Sequence, residues 1–119
     1  MIYIEPKIMD LRINNMKTEC SLGYLQIIGE NQKIEICGTR IFIGRLATND
    51  IQLTHRSISR RHCLIEVIDK YVYIVDLDSK FGTYLNDIKL SARERNLLKN
   101  NDEIVIGKGI EIVKIIYIN

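Results

Sequence analysis

Three short polar runs hold most of the side chains in this 119-residue chain that could do chemistry: Gly44-Arg45, Ser59-Arg60-Arg61-His62 and Ser79-Lys80-Phe81-Gly82-Thr83. Arg45 offers a fixed positive charge on a planar fork of N–H donors, a shape that matches the oxygens of a phosphate. Ser59 adds a neutral hydroxyl donor, and Arg60 or Lys80 can bring a second charge to the same ligand. Together these residue types read as one anion-binding site. Each run borders a stretch rich in Ile, Val and Tyr, so a β scaffold has to carry all three onto one surface.

Other chemistries fit less well. A hydrolytic enzyme would draw Ser57 or Ser59, His62 or His55, and Asp76 or Asp78 together, yet the chain has no Gly-x-Ser-x-Gly elbow and no Gly-x-x-x-x-Gly-Lys phosphate loop. We read it as a non-enzyme that uses no cofactor. Cys20, Cys37 and Cys63 are odd in number and far apart, without the paired spacing of a zinc site, so no metal is expected. Cys63 lies in an apolar run as a small core residue, which fits a reducing, intracellular compartment. No stretch approaches the ~20 apolar residues of a membrane span. The formal charge is +2, but the segment from Arg40 to Cys63 carries five arginines against Asp50 alone. Its aromatic residues are few and not interleaved with the charges, so direct nucleic-acid binding is not expected.

The elements that must position these groups are short strands. Expected strands are Tyr24 to Ile28, Gln32 to Ile36, Arg40 to Ile43, Ile51 to Leu53, His62 to Ile68, Tyr71 to Leu77, Thr83 to Leu85, Ile88 to Leu90, Glu103 to Ile106 and Ile110 to Tyr117. Turn residues separate them, among them Asp69-Lys70, Asn86-Asp87 and Lys108-Gly109. Leu64 is apolar on the face that alternation would make polar, so that strand is expected to be covered on both sides. Ser91 and Glu94 have capping-box spacing, which predicts a surface loop with one helical turn before Lys99. Residues 1–20 form an apolar N-terminal arm that could add a strand, dock or serve as an interaction segment, with the domain proper over 21–119.

In this order and spacing, the three runs resemble the forkhead-associated (FHA) domain, over roughly residues 23 to 117. Asn49-Asp50-Ile51-Gln52-Leu53, Tyr73-Ile74-Val75-Asp76-Leu77-Asp78 and the closing Leu98, Asp102, Ile104 and Gly107 extend the match. The resemblance implies an all-β sandwich of two mostly antiparallel sheets with the ligand loops at one end. It also implies a phosphothreonine-containing protein or peptide as partner. Arg45, Ser59, Arg60, Lys80 and Phe81 then stand at ligand-binding positions, and Gly44, His62, Gly82, Thr83 and Asn86 at loop-shaping ones. The family usually has Asn where Phe81 stands and Gly where Asn101 stands. Phe81 leaves a second reading open, a degenerate FHA domain acting in homodimerisation or scaffolding. Ser57-Ile58-Ser59-Arg60 and Lys80-Phe81-Gly82-Thr83 are similar to the nuclear DNA-damage mediator type, which implies a nuclear setting.

Overall fold

Alternating Ile and Val in runs of three to six residues favour half-buried strands, and the turns between them fix the register. A computed structural model describes residues 2–4 and 22–119; the rest of the expected N-terminal arm, Cys20 included, lies outside the described residues. The elements are β1 (Ile2–Ile4), β2 (Tyr24–Ile27), β3 (Lys33–Glu35), β4 (Arg40–Gly44), β5 (Ile51–Leu53), β6 (Cys63–Ile68), β7 (Tyr71–Asp76), β8 (Thr83–Leu85), β9 (Ile88–Lys89), β10 (Asn96–Leu97), β11 (Glu103–Ile106) and β12 (Val113–Ile118). They form two six-stranded sheets, one ordered β1-β5-β4-β6-β7-β10 and the other β3-β2-β12-β11-β8-β9. All pairs are antiparallel except β4 with β5. The expected sandwich is the observed fold.

Two hairpins show how local residues set this register. Asp69 and Lys70 (φ 50° and 73°) join β6 to β7, and Asn86 and Asp87 (φ 50° and 71°) join β8 to β9. Two consecutive left-handed residues match the right-handed twist of the strands they connect. Asn101, also left-handed at φ 73°, occupies the family's glycine position before Asp102 without leaving the backbone that position needs. Between the sheets lies a core of Leu25, Ile27, Ile43, Ile65, Ile74, Ile104, Ile106 and Ile115, each fully buried. No helix among the described residues is long and apolar enough to cross a membrane.

The topology puts four connections at one end of the sandwich. Ile43, Cys63 and Asp76 are neighbours across β4, β6 and β7, so the segments after Gly44, before Cys63 and after Asp76 leave the first sheet side by side. Thr83, Ile106 and Val113 are neighbours in the second sheet, and the segment from Asp76 to Thr83 crosses between the sheets at this end. The 107–112 connection is therefore drawn beside it.

Ile51–Leu53, Thr83–Leu85 and Glu103–Ile106 keep the expected bounds, and most other strands differ by one residue at an end or at both. Two regions differ in kind. The expected helical turn over Ser91 to Lys99 is instead an edge: Asn96–Leu97 pair with β7 and Ala92 bridges to Asp76. Leu98 and Arg93 donate N–H groups to the Val72 and Asp76 carbonyls, both at 2.8 Å. A helix there would keep those donors to itself and leave the β7 edge unpaired. The expected strand from Ile110 begins only at Val113, because Gly109–Glu111 form a tight turn with Ile110 wholly exposed at its apex. Ile104→Ala should lower the unfolding free energy by about 2–5 kcal/mol, whereas Ile110→Ala should change it by less than about 0.5 kcal/mol. Urea titration of both variants checks this; equal losses would misplace the core.

Candidate functional site

The first connection begins at a close approach. An added Cβ at Gly44 would lie 2.8 Å from the Arg60 carbonyl carbon and 2.9 Å from the Arg61 Cα, so only glycine lets β4 pass beneath the second connection. Just beyond, Arg45 donates its N–H to the Ser59 carbonyl at 3.0 Å and its Nε–H to the Ile58 carbonyl, also at 3.0 Å. The half-buried guanidinium is thus fixed by one edge, with its terminal nitrogens left for other acceptors. Asn49, fully buried, holds the same junction from behind, its Nδ2 donating to Leu46 O at 2.9 Å and Arg60 O at 2.7 Å.

Ile58 anchors the second connection. Its side chain is wholly inside the core, which leaves Ser57 and Ser59 flanking it near the surface. Each serine hydroxyl accepts a backbone N–H from a lysine: Ser59 Oγ from Lys80 at 2.9 Å, Ser57 Oγ from Lys108 at 3.0 Å. The hydroxyl proton of Ser59 remains available to donate. One short segment therefore ties the second connection to the third and to the 107–112 turn, where His55 Nδ1–H also donates to Glu111 O at 2.9 Å.

His62, fully buried, joins the second connection to the third. Its Nδ1 accepts the Ser59 N–H at 3.0 Å and its Nε2–H donates to the Gly82 carbonyl at 2.9 Å. Its backbone is bound too, His62 N–H to Ile43 O at 2.9 Å and Leu77 N–H to His62 O at 3.0 Å. An imidazole that accepts on one nitrogen and donates from the other is neutral. Burial lowers its pKa below the ordinary 6.5, outweighing the Gly82 hydrogen bond and the Asp76 carboxylate that favour the charged form.

Asp76 shapes the third connection from inside. Its Oδ1 accepts the hydroxyls of Ser79 at 2.5 Å and Thr83 at 2.6 Å, and its Oδ2 the Ser79 N–H at 3.2 Å. Gly82 turns with φ 91°, a left-handed value that suits glycine. Phe81 is half-buried, with the ammoniums of Lys80 and Lys108 at 5.4 and 4.8 Å from its ring centre.

The structure brings Gly44, Arg45, Ser59, Arg60, His62, Lys80, Phe81, Gly82 and Thr83 to this one end, while Asn86 sits at the other end of β8. There it braces the hairpin to β11, bonding Glu103 in both directions and Asp102 Oδ1 at 2.9 Å. The basic excess divides. Arg61 stacks on Phe42 at 4.3 Å and Arg40 pairs with Glu66 on the sheet face, which leaves Arg45, the exposed Arg56 and Arg60 in the connections. Sequence reasoning did not single out Asn49, Asp76 or Lys108 for this site. Strand alternation held the clue for Asp76, because Val72, Ile74 and Asp76 share the inward side of β7.

A serine nucleophile is not set up here. The imidazole of His62 binds the Ser59 backbone rather than Oγ, and Asp76 binds hydroxyls rather than the imidazole. Burial pushes the Cys63 thiol far above its ordinary range, which keeps it protonated. The arrangement is instead a set of donors at one surface, positioned by buried acceptors.

A family model for the FHA domain matches residues 41–107. The chain is 32% identical over 80 residues to the FHA domain-containing protein PS1 of Arabidopsis thaliana, and 37% identical over 65 residues to an oxoglutarate dehydrogenase inhibitor of Corynebacterium efficiens. These matches take in 66% and 55% of this chain but only 5% and 44% of the relatives, so the chain spans less than half of either. The N-terminal FHA domain of S. cerevisiae Rad53p, solved in complex with a phosphothreonine peptide, aligns with a TM-score of 0.74 at 21% identity, over 80% of this chain and 90% of that one. At that identity the likeness concerns the fold.

Two outcomes follow from the geometry. Gly44→Ala should cost about 1–3 kcal/mol in urea unfolding, since the methyl meets backbone that cannot rotate away. The folded state takes up the His62 proton less readily than the unfolded state does. Its contribution to stability is therefore complete above pH 6.5 and is lost as pH falls through the depressed folded value. Ring NMR at pH 6.5, where an unperturbed imidazole is half protonated, should show a mostly neutral Nε2–H ring; a ring at least half protonated at that pH would contradict the assignment.

Proposed function

The chain belongs to the FHA family, and we propose from that premise that it is a phosphothreonine-peptide binding module whose phosphate is held by Arg45 and Ser59. The observation that carries the reading is that both donors are fixed before any ligand arrives. Ile58 O anchors the guanidinium of Arg45 through Nε, and the Lys80 N–H orients the Ser59 hydroxyl. Preorganised donors avoid part of the ordering cost of binding. A phosphate carries nearly two negative charges and three acceptor oxygens, so it can take both bonds at once, each worth about 1.5–3 kcal/mol net. Lys80 and the exposed Arg60 add positive charge at the rim, and Phe81 faces the flanking peptide. Gly44, His62, Gly82 and Thr83 hold the loops.

The nuclear DNA-damage setting and the homodimer belong to the same proposal. The first rests on the similarity of Ser57-Ile58-Ser59-Arg60 and Lys80-Phe81-Gly82-Thr83, the second on the apolar arm. A degenerate module with weakened recognition is favoured by a single feature. Phe81 offers a ring under two lysines where the family's Asn would offer an amide to the peptide backbone. Calorimetry with one peptide in phosphothreonine, phosphoserine and unmodified forms separates the two readings. The proposal expects binding of the first form, and an Arg45→Ala loss of at least about tenfold, or 1.4 kcal/mol, with the melting curve retained. Equal affinity for phosphorylated and unmodified peptide would leave the scaffolding reading.

A further inference from the structure

Cys63 and Ile65 point from β6 into the core, so the apolar Leu64 and the acidic Glu66 between and after them face outward. Strand pairing extends them into two rows on the flank of the sandwich. Phe42, Leu64 and Val75 stand side by side across β4, β6 and β7, and Arg40, Glu66, Tyr73 and Leu97 across β4, β6, β7 and β10. Ile68 and Tyr71 close the patch at the hairpin. Leu97 and Tyr71 are 42% and 60% exposed, although both are apolar over most of their surface. The Glu66 carboxylate lies inside the patch, accepting the Nε–H of Arg95 at 2.9 Å, with Arg40 Nε 3.6 Å from its other oxygen. Both guanidiniums approach it through Nε, which leaves their terminal nitrogens for a further acceptor. A third guanidinium, that of Arg61, lies over the Phe42 ring at 4.3 Å.

We propose that this outward face of the first sheet is a second docking surface, which takes a short acidic amphipathic segment of a partner protein and needs no phosphate. Charge chooses the occupant. Arg40, Arg61 and Arg95 stand against Glu66, whose carboxylate two of them already share, and against Asp50 at the β5 border, whose Oδ2 accepts the Phe42 N–H at 2.8 Å. A second copy of the chain would bring the same arginines face to face, and like charges oppose that pairing. Composition separates this face from the other flank. Aromatic residues and arginine are enriched at the centres of interfaces and lysine is depleted there. The outward rows of β4, β6, β7 and β10 hold no lysine, whereas those of the second sheet carry Lys33, Lys89 and Lys114. Size limits the partner to a segment. From β4 to β10, and from the Leu64 row to the Tyr71 row, the patch measures about 14 Å each way. That is small beside the roughly 800 Å² each partner buries in a stable complex, and it matches about ten residues of helix.

The test is a display selection of unphosphorylated random peptides, about twelve residues long, on the full chain at low salt. The enriched peptides are then titrated against the wild-type chain, Arg61→Gln, Leu97→Ser and Arg45→Ala. Arg61 and Leu97 are exposed, so neither of the first two substitutions opens the core. The enriched peptides should combine Asp or Glu with Leu, Phe or Tyr at helical spacing, and should bind Arg61→Gln and Leu97→Ser roughly three- to tenfold more weakly. Their affinity for Arg45→Ala should equal that for the wild-type chain, and it should fall as salt rises. Amide shifts should centre on Phe42, Leu64, Tyr73 and Leu97. No enrichment, enriched peptides without acidic residues, or affinities unmoved by both Arg61→Gln and Leu97→Ser would overturn the docking surface. Loss of binding in Arg45→Ala would place the peptides at the phosphate-facing loops and overturn it too. Mixed-sequence duplex DNA that displaces the peptides at equal affinity would overturn the protein assignment. Self-association of the chain that Leu97→Ser abolishes would make a second copy the occupant. Each of these results leaves phosphothreonine recognition to its own calorimetric test.

Discussion

The junction of the second and third connections depends on one imidazole being neutral. His62 accepts from Ser59 N–H and donates to Gly82 C=O, so a single ring sets the separation between the second and third connections. Were the ring charged, Nδ1 would carry a proton and meet the Ser59 N–H as a second donor. The lowered pKa is the condition that keeps the brace intact, and full burial is its main cause. Ser59 and Lys80 are held in mutual contact on top of that brace, and Arg45 is held to the same segment from the other side.

Buried and exposed polar groups divide the work. Asn49, His62, Asp76 and Thr83 are buried and bind loop backbone, loop hydroxyls or one another, so they set loop shape. Arg60, Lys80 and Lys108 are exposed, and the two lysines place their charges over an aromatic ring. Buried hydrogen bonds in a low-dielectric interior are rigid, whereas exposed cations are screened and cheap to reorient. The result is a buried polar frame with exposed charges at its rim.

The sheets were legible in the sequence because alternation, β-branched residues and two-residue turns act locally. Asp69-Lys70 and Asn86-Asp87 announced their hairpins, and the family pattern carried the order of the three polar runs. What the sequence concealed was set by distant partners. Ser91 and Glu94 have the spacing of a helix cap, but the free edge of β7 captured the segment as β10. Ile110 resembles a strand residue, yet Gly109 at φ 66° bends the chain before it. Lys108 is tied to the site by Ser57, 51 positions earlier, which accepts its N–H. No local pattern marks such a pair.

The central claim is that Arg45 and Ser59 form a phosphate site that exists before the ligand. The most direct measurement is an amide and arginine-Nε NMR titration of the full chain with a phosphothreonine peptide and with its unmodified counterpart. The account predicts that Arg45 Nε and the amides of Ser59, Lys80 and Gly82 shift with the phosphorylated peptide alone, while the strand amides of β4, β6 and β7 keep their positions. Shifts that centre elsewhere on the sandwich, or that appear equally with the unmodified peptide, would contradict it.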